Sequence, residues 1–167
     1  MDTALLIARL FFGLGIAAHG AQKLFGWFSG GGINKTGEFM VMLGWNQARF
    51  FATAAGLGEF GGGLLVALGF LSPIGPALMI LVMLTATFSV HIHNGFFATK
   101  NGIEMPMLYA MAALVLAFTG PGDYSFDRFL GLDWFYSQKN SWIAIAAAVA
   151  IALINVAVRR PKPPASA

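Results

Sequence analysis

The sequence predicts an all-α protein, a bundle of helices that cross a membrane. Three observations carry that expectation. Of 167 residues, 57% are hydrophobic and only 10% are charged, whereas a soluble domain carries about 25% charged residues. The apolar residues stand in long blocks, not at one-sided helical spacing, and helices that are apolar all round belong in lipid or in a very large core. A chain of this length makes one domain and cannot make such a core.

Five stretches approach the roughly 20 apolar residues that a span requires. They run over about residues 4–26, 48–70, 74–93, 105–119 and 142–158. The third follows the break Leu71-Ser72-Pro73, the fourth is short, and the fifth is Ala-rich without charge. The first does not read as a cleaved signal peptide. Arg9 lies inside it, and His19, Gln22 and Lys23 stand where a small-residue cleavage site belongs.

Five spans put the two termini on opposite sides. With the C-terminus in the cytoplasm, Lys23, Lys35, Arg49, Lys100, Arg159, Arg160 and Lys162 lie inside, and only Arg128 and Lys139 lie outside. The positive-inside rule favours that arrangement in a plasma (inner) membrane. Trp27 and Trp45 then mark the inner interface, Trp134 and Trp142 the outer one. The net charge of +3 is mild and scattered, apart from a basic, Pro-rich tail. It indicates a lipid surface and no nucleic-acid partner. Cysteine is absent, which excludes disulfides, thiolate metal sites and covalent c-type haem attachment.

Two connections carry structure of their own. After the hinge Ser29-Gly30-Gly31-Gly32, the run Phe39-Met40-Val41-Met42-Leu43 is too short to span and reads as interfacial. The turn Gly120-Pro121-Gly122-Asp123 opens a second connection, in which Phe126 to Phe135 also reads as interfacial.

Ionisable groups at membrane depth are costly and face a bundle interior, where they mark sites. The candidates are His19, Lys23, Glu59, His91, His93 and Glu104, with Gln22 and Asn94 beside them. At about 1.5 Å per residue, His19 lies roughly 22 Å and His91 roughly 25 Å below the outer side. His19, Gln22 and Lys23 share one helix face through their i, i+3, i+4 spacing. Glu59 lies on a face of small residues, Gly56, Gly62 and Gly63, that points it inward. His91 and His93 diverge on a regular helix and converge only if the chain unwinds before Asn94-Gly95. Each group also has a plainer role. Glu59 pairs with Lys23 or Arg9 and fixes helix register, Lys23 snorkels to the interface, and Arg9 is a structural partner or interface anchor.

Imidazoles can relay protons and donate a hydrogen bond to a carbonyl. Two histidines with a carboxylate can hold a metal, and His19 with His91 can ligate a b-type haem. A quinone headgroup needs a donor near the interface and an apolar slot, which the cluster also offers. Residue spacing does not select among these.

The blocks Arg9-Leu10-Phe11-Phe12-Gly13 through His19-Gly20-Ala21-Gln22-Lys23-Leu24-Phe25-Gly26, then Glu59-Phe60-Gly61-Gly62-Gly63-Leu64-Leu65 with Leu68-Gly69-Phe70-Leu71, resemble the DoxX family of small membrane proteins. So do His91-Ile92-His93-Asn94-Gly95-Phe96-Phe97, and Gly102-Ile103-Glu104-Met105-Pro106 with its Gly120-Pro121-Gly122 turn. Four blocks in order, over about residues 4–130, are more specific than any one. The resemblance implies a four-helix membrane core at 1–130, to which residues 131–167 add a connection, a fifth helix and the tail. It also implies association with membrane redox complexes and quinones.

The first expectation is therefore a quinone-linked oxidoreductase subunit or membrane anchor. In it His19, Glu59 and His91 act, while Gln22, Lys23, His93 and Glu104 complete the binding site. The alternatives are a non-catalytic structural subunit and a small-solute or proton carrier. The cofactor expected is quinone, with haem or metal left open. The partners expected are lipid and other membrane subunits, with a homo-oligomer left open.

Overall fold

The apolar blocks become helices packed side by side in a computed structural model that describes residues 1–160. The tail expected at Pro161, Lys162, Pro163 and Pro164 lies outside the described residues. Helix α1 (Asp2–Phe25), α3 (Ala48–Leu68) and α7 (Gln138–Ala157) are long and apolar enough to span. Helix α4 (Ile74–Ala86) reaches the same length only through its continuation to Asn94. Helix α5 (Glu104–Thr119) is 16 residues long, roughly 24 Å at the helical rise, and so is shorter than a bilayer core. The interfacial runs form short helices, α2 (Gly32–Met42) and α6 (Phe126–Phe129).

Each boundary has a local cause. Gly26 ends α1 at φ 74° and Gly69 ends α3 at φ 62°, left-handed conformations that glycine adopts without a Cβ penalty. Ser125 and Ser137 cap α6 and α7 by accepting the backbone N–H of Arg128 and Asn140.

Helices α1 and α3 run antiparallel in backbone contact. A Cβ on Gly13 would lie 2.6 Å from Ala67 N, and one on Gly63 would lie 2.6 Å from Ala17 N. The small-residue face of α3 is thus divided between its neighbours, Gly56 and Gly63 meeting α1 and Gly62 meeting α4, as small residues in membrane helices commonly pack. Helix α4 forms the centre, with α3, α5 and α7 packed around it. Its Met79, Ile80 and Met83 join Ile16, Val66, Leu116 and Ala148 in one buried cluster. Large apolar side chains left outside, such as Phe11, Met111, Ile151 and Ile154, face outward, as lipid-facing residues must.

The fifth apolar helix is integral to this bundle. At one end Ser141 donates to the Ala117 carbonyl at 2.6 Å and Tyr136 donates to the Phe118 carbonyl at 2.5 Å. At the other, Arg159 Nε donates to the Leu43 carbonyl at 2.8 Å and its guanidinium lies 5.1 Å from the Trp45 ring centre. Helix α7 therefore runs alongside α4 and ties α5 to the α2–α3 turn.

Candidate functional site

A cavity of about 350 Å³ lies at the end of the bundle that carries α2. Its walls come from α1, α2, α3, the end of α4, the α4–α5 connection and α7. Leu43, Phe51, Leu81 and Val82 make it largely apolar, while Lys23, Glu59, Ser89, His91, Asn101 and Asn155 supply polar groups.

Lys23 Nζ forms an ion pair with Glu59 Oε1 across the α1–α3 interface. The two ends differ sharply, since the Lys23 side chain is 33% exposed and that of Glu59 only 3%. The lysine stem thus reaches in from the interface while the carboxylate stays buried. Glu59 Oε2 is buried and has no hydrogen-bond partner, and the same holds for Ser89 Oγ. Both residues line the cavity. Buried polar atoms are nearly always satisfied, so two orphans on residues that line one cavity point to a place for a polar ligand.

Ser89 and His91 reach the wall because α4 changes its winding. From Thr87 to His91 the turn is a π-helix, closed by Ile92 N donating to the Thr87 carbonyl, and Ile92–Asn94 then tightens to a 3-10 turn. Thr85 and Thr87 bond back to the carbonyls of Leu81 and Met83 at 2.9 and 2.8 Å, a pattern that bends helices. Isolated π-turns are frequent at functional sites. His91 Nδ1 lies 2.8 Å from the Asn101 carbonyl. A carbonyl only accepts, so Nδ1 donates, and in the neutral ring with that tautomer Nε2 is the acceptor nitrogen.

The structure gathers Lys23, Glu59 and His91 and disperses the other candidates. His19 lies outside the cavity on an exposed face, 3.2 Å from Gln22 Oε1 and edge-on to Tyr109. Gln22 in turn donates to the Phe28 carbonyl at 3.2 Å and so fastens the α1–α2 turn. His93 is exposed and does not converge with His91. Glu104 accepts the Ala98 N–H at 2.7 Å and clasps the α4–α5 connection. Among the described residues, no three His, Asp or Glu side chains gather as a metal-ligand set. Arg9 is a structural anchor at the opposite end, donating to the carbonyls of Pro121 and Tyr124.

Sequence reasoning missed Ser89, Asn101 and Asn155. Asn155 had a readable signal, since it is the one polar residue after Trp142 in α7. Ser89 had none, because only the π-turn aims it inward.

No solved structure matches the chain significantly. Inner membrane protein YqjF of Escherichia coli (strain K12) is 29% identical over 139 residues, or 80% of this chain and 96% of that protein. The DoxX family model matches residues 4–92, the stretch from α1 through the π-turn that supplies Lys23, Glu59, Ser89 and His91, leaving α5 and α7 outside the match. With more than half of its length matched and its apolar helices bundled as described, this membrane protein belongs to the DoxX family.

Proposed function

We propose that this chain is a quinone-binding subunit of a redox complex in the inner (plasma) membrane, and that the cavity beside Lys23 and Glu59 holds the quinone headgroup. The observation that carries the reading is the buried carboxylate of Glu59, paired on one oxygen and orphaned on the other, in a residue that lines a largely apolar cavity. The residues fit such a group. The volume of about 350 Å³ falls in the range of small-molecule sites. The apolar side chains of Phe51, Leu81 and Val82 accommodate a ring and the start of a tail. Lys23 Nζ is a donor for a ring oxygen and His91 Nε2 an acceptor beside it.

A bound quinone would supply two-electron, two-proton redox chemistry. The chain's own part is to desolvate the ring, orient it, and offer hydrogen-bond acceptors at Glu59 Oε2 and His91 Nε2. Among the described residues the connections between the spanning helices hold only the short helices α2 and α6 and single 3-10 turns, which supports placing the electron donor on a partner subunit. Orientation follows from charge. Lys35, Arg49, Lys100 and Arg160 are exposed at the cavity end, and the positive-inside rule favours that end in the cytoplasm. The relative from Escherichia coli, named an inner membrane protein, supports the location.

The test is purification in mild detergent followed by extraction and quantification of quinone. The expected result is bound quinone that is lost in Ala86→Phe, which fills the cavity from α4. A quinone-free protein held firmly among other subunits would overturn the reading and favour a structural subunit.

A further inference from the structure

The orphaned atoms on the cavity wall specify more than an aromatic headgroup. A carboxylate accepts hydrogen bonds and donates none. Lys23 occupies Oε1, and Oε2 is buried without a donor. A ligand bearing only carbonyl oxygens presents a further acceptor to Oε2 and leaves the carboxylate desolvated and unpaired. A ligand bearing an O–H supplies the missing donor. Ser89 Oγ, the second orphan, can accept from or donate to a second hydroxyl. The π-turn that carries Ser89 adds an independent sign that this wall is built for a ligand.

We infer that the cavity selects the reduced, hydroxyl-bearing form of its ligand, a hydroquinone or related phenol, over the carbonyl form, and that Glu59 Oε2 is the atom that makes the choice. This rests on the quinone-class reading above. A hydrogen bond to a buried charged group discriminates by roughly tenfold or more in affinity.

The test is titration calorimetry of the full chain in detergent, under anaerobic conditions, with three probes of one ring and one short alkyl tail: the hydroquinone, its dimethyl ether and the benzoquinone. The hydroquinone is expected to bind at least about tenfold more tightly than either of the others. Glu59→Gln keeps the shape and exchanges the charged acceptor for an amide that can also donate. It is expected to bring the hydroquinone and benzoquinone affinities within about twofold of each other or to invert them. Should that variant fail to fold, the hydroquinone–benzoquinone comparison on the unaltered chain decides alone, because the two have the same heavy atoms and only the first carries O–H donors. Equal binding of all three probes, abolished by Ala86→Phe, would overturn the preference and leave a quinone-class site standing. Binding of none of them, or binding indifferent to Ala86→Phe, would overturn both.

Discussion

Lys23 of α1 and Glu59 of α3 are joined in an ion pair whose two members sit in different environments, the lysine one-third exposed and the glutamate nearly fully buried. The pair crosses the interface where α1 and α3 touch through glycine, so it fixes their register as well as furnishing the cavity. Breaking a buried pair costs most when the group left behind has no route to water.

The cost should therefore be asymmetric. Lys23→Met strands the Glu59 carboxylate and is expected to lower stability by roughly 2–4 kcal/mol. Glu59→Gln leaves a lysine that can turn to the interface and is expected to cost no more than about 1 kcal/mol. The double variant should recover at least half of the Lys23→Met loss. Thermal unfolding in detergent across the double-mutant cycle measures all three. Equal losses in the single variants would show that the lysine is as trapped as the glutamate.

The glycines of α3 separate by position in a second prediction. Gly63→Ala places a methyl 2.6 Å from the Ala17 backbone nitrogen, so the helices must part, at a cost of roughly 1–3 kcal/mol. Gly61 has nothing within 4 Å of where its Cβ would stand. Gly61→Ala is expected to be neutral or to stabilise by up to about 1 kcal/mol through helix propensity. Unfolding midpoints of the two variants in one detergent provide the check, and matching losses would refute the close α1–α3 contact.

These helices were legible because length and hydropathy fix a span almost alone. The α3 register was legible for the same kind of reason, since Gly56, Gly62 and Gly63 flank Glu59 on one face. The site was legible only in part. A depth estimate gives height along a helix but not direction around it, so His19 and His91 could be matched in height and still not share the cavity. Gly20, not its neighbour His19, meets the Phe60 backbone and His19 stays exposed, whereas the long stem of Lys23 reaches Glu59 one turn further on. The inward turn of Ser89 depends on a winding defect that leaves no mark in composition. The wall from α7 depends on Asn155, in a helix that the family model does not reach.

At the opposite end, Asp127 is 1% exposed and accepts the backbone N–H groups of Leu71 and Ser72 at 2.8 Å each. It thereby binds the α3–α4 turn to the connection before α7, next to the Arg9 anchor. Asp127→Ala orphans two buried donors and is expected to cost roughly 2–4 kcal/mol. Asp127→Asn retains an acceptor and should cost about half as much. Chemical or thermal unfolding of both variants tests the ranking. A silent Asp127→Ala would mean that water replaces the carboxylate without penalty.

The threading of the chain makes a prediction that is independent of any ligand. Helices α1, α3, α4, α5 and α7 alternate in direction, which places Lys35 and Lys100 at the cavity end and Asp123 and Lys139 at the other, all four exposed. The chain has no cysteine, so single cysteines at these positions give an unambiguous reading. With the cavity end cytoplasmic, Asp123→Cys and Lys139→Cys should react with a membrane-impermeant maleimide on intact spheroplasts. Lys35→Cys and Lys100→Cys should react only after the membrane is opened. A reversed pattern would overturn the orientation drawn from the positive charges and keep the fold. Labelling of Lys139→Cys on the same side as Lys35→Cys would be more damaging, because the five-crossing path holds those positions on opposite faces. It would mean that one of α3, α4 and α5 fails to cross, the short α5 first among them, and α7 could then no longer carry Asn155 from the Lys139 end to the cavity.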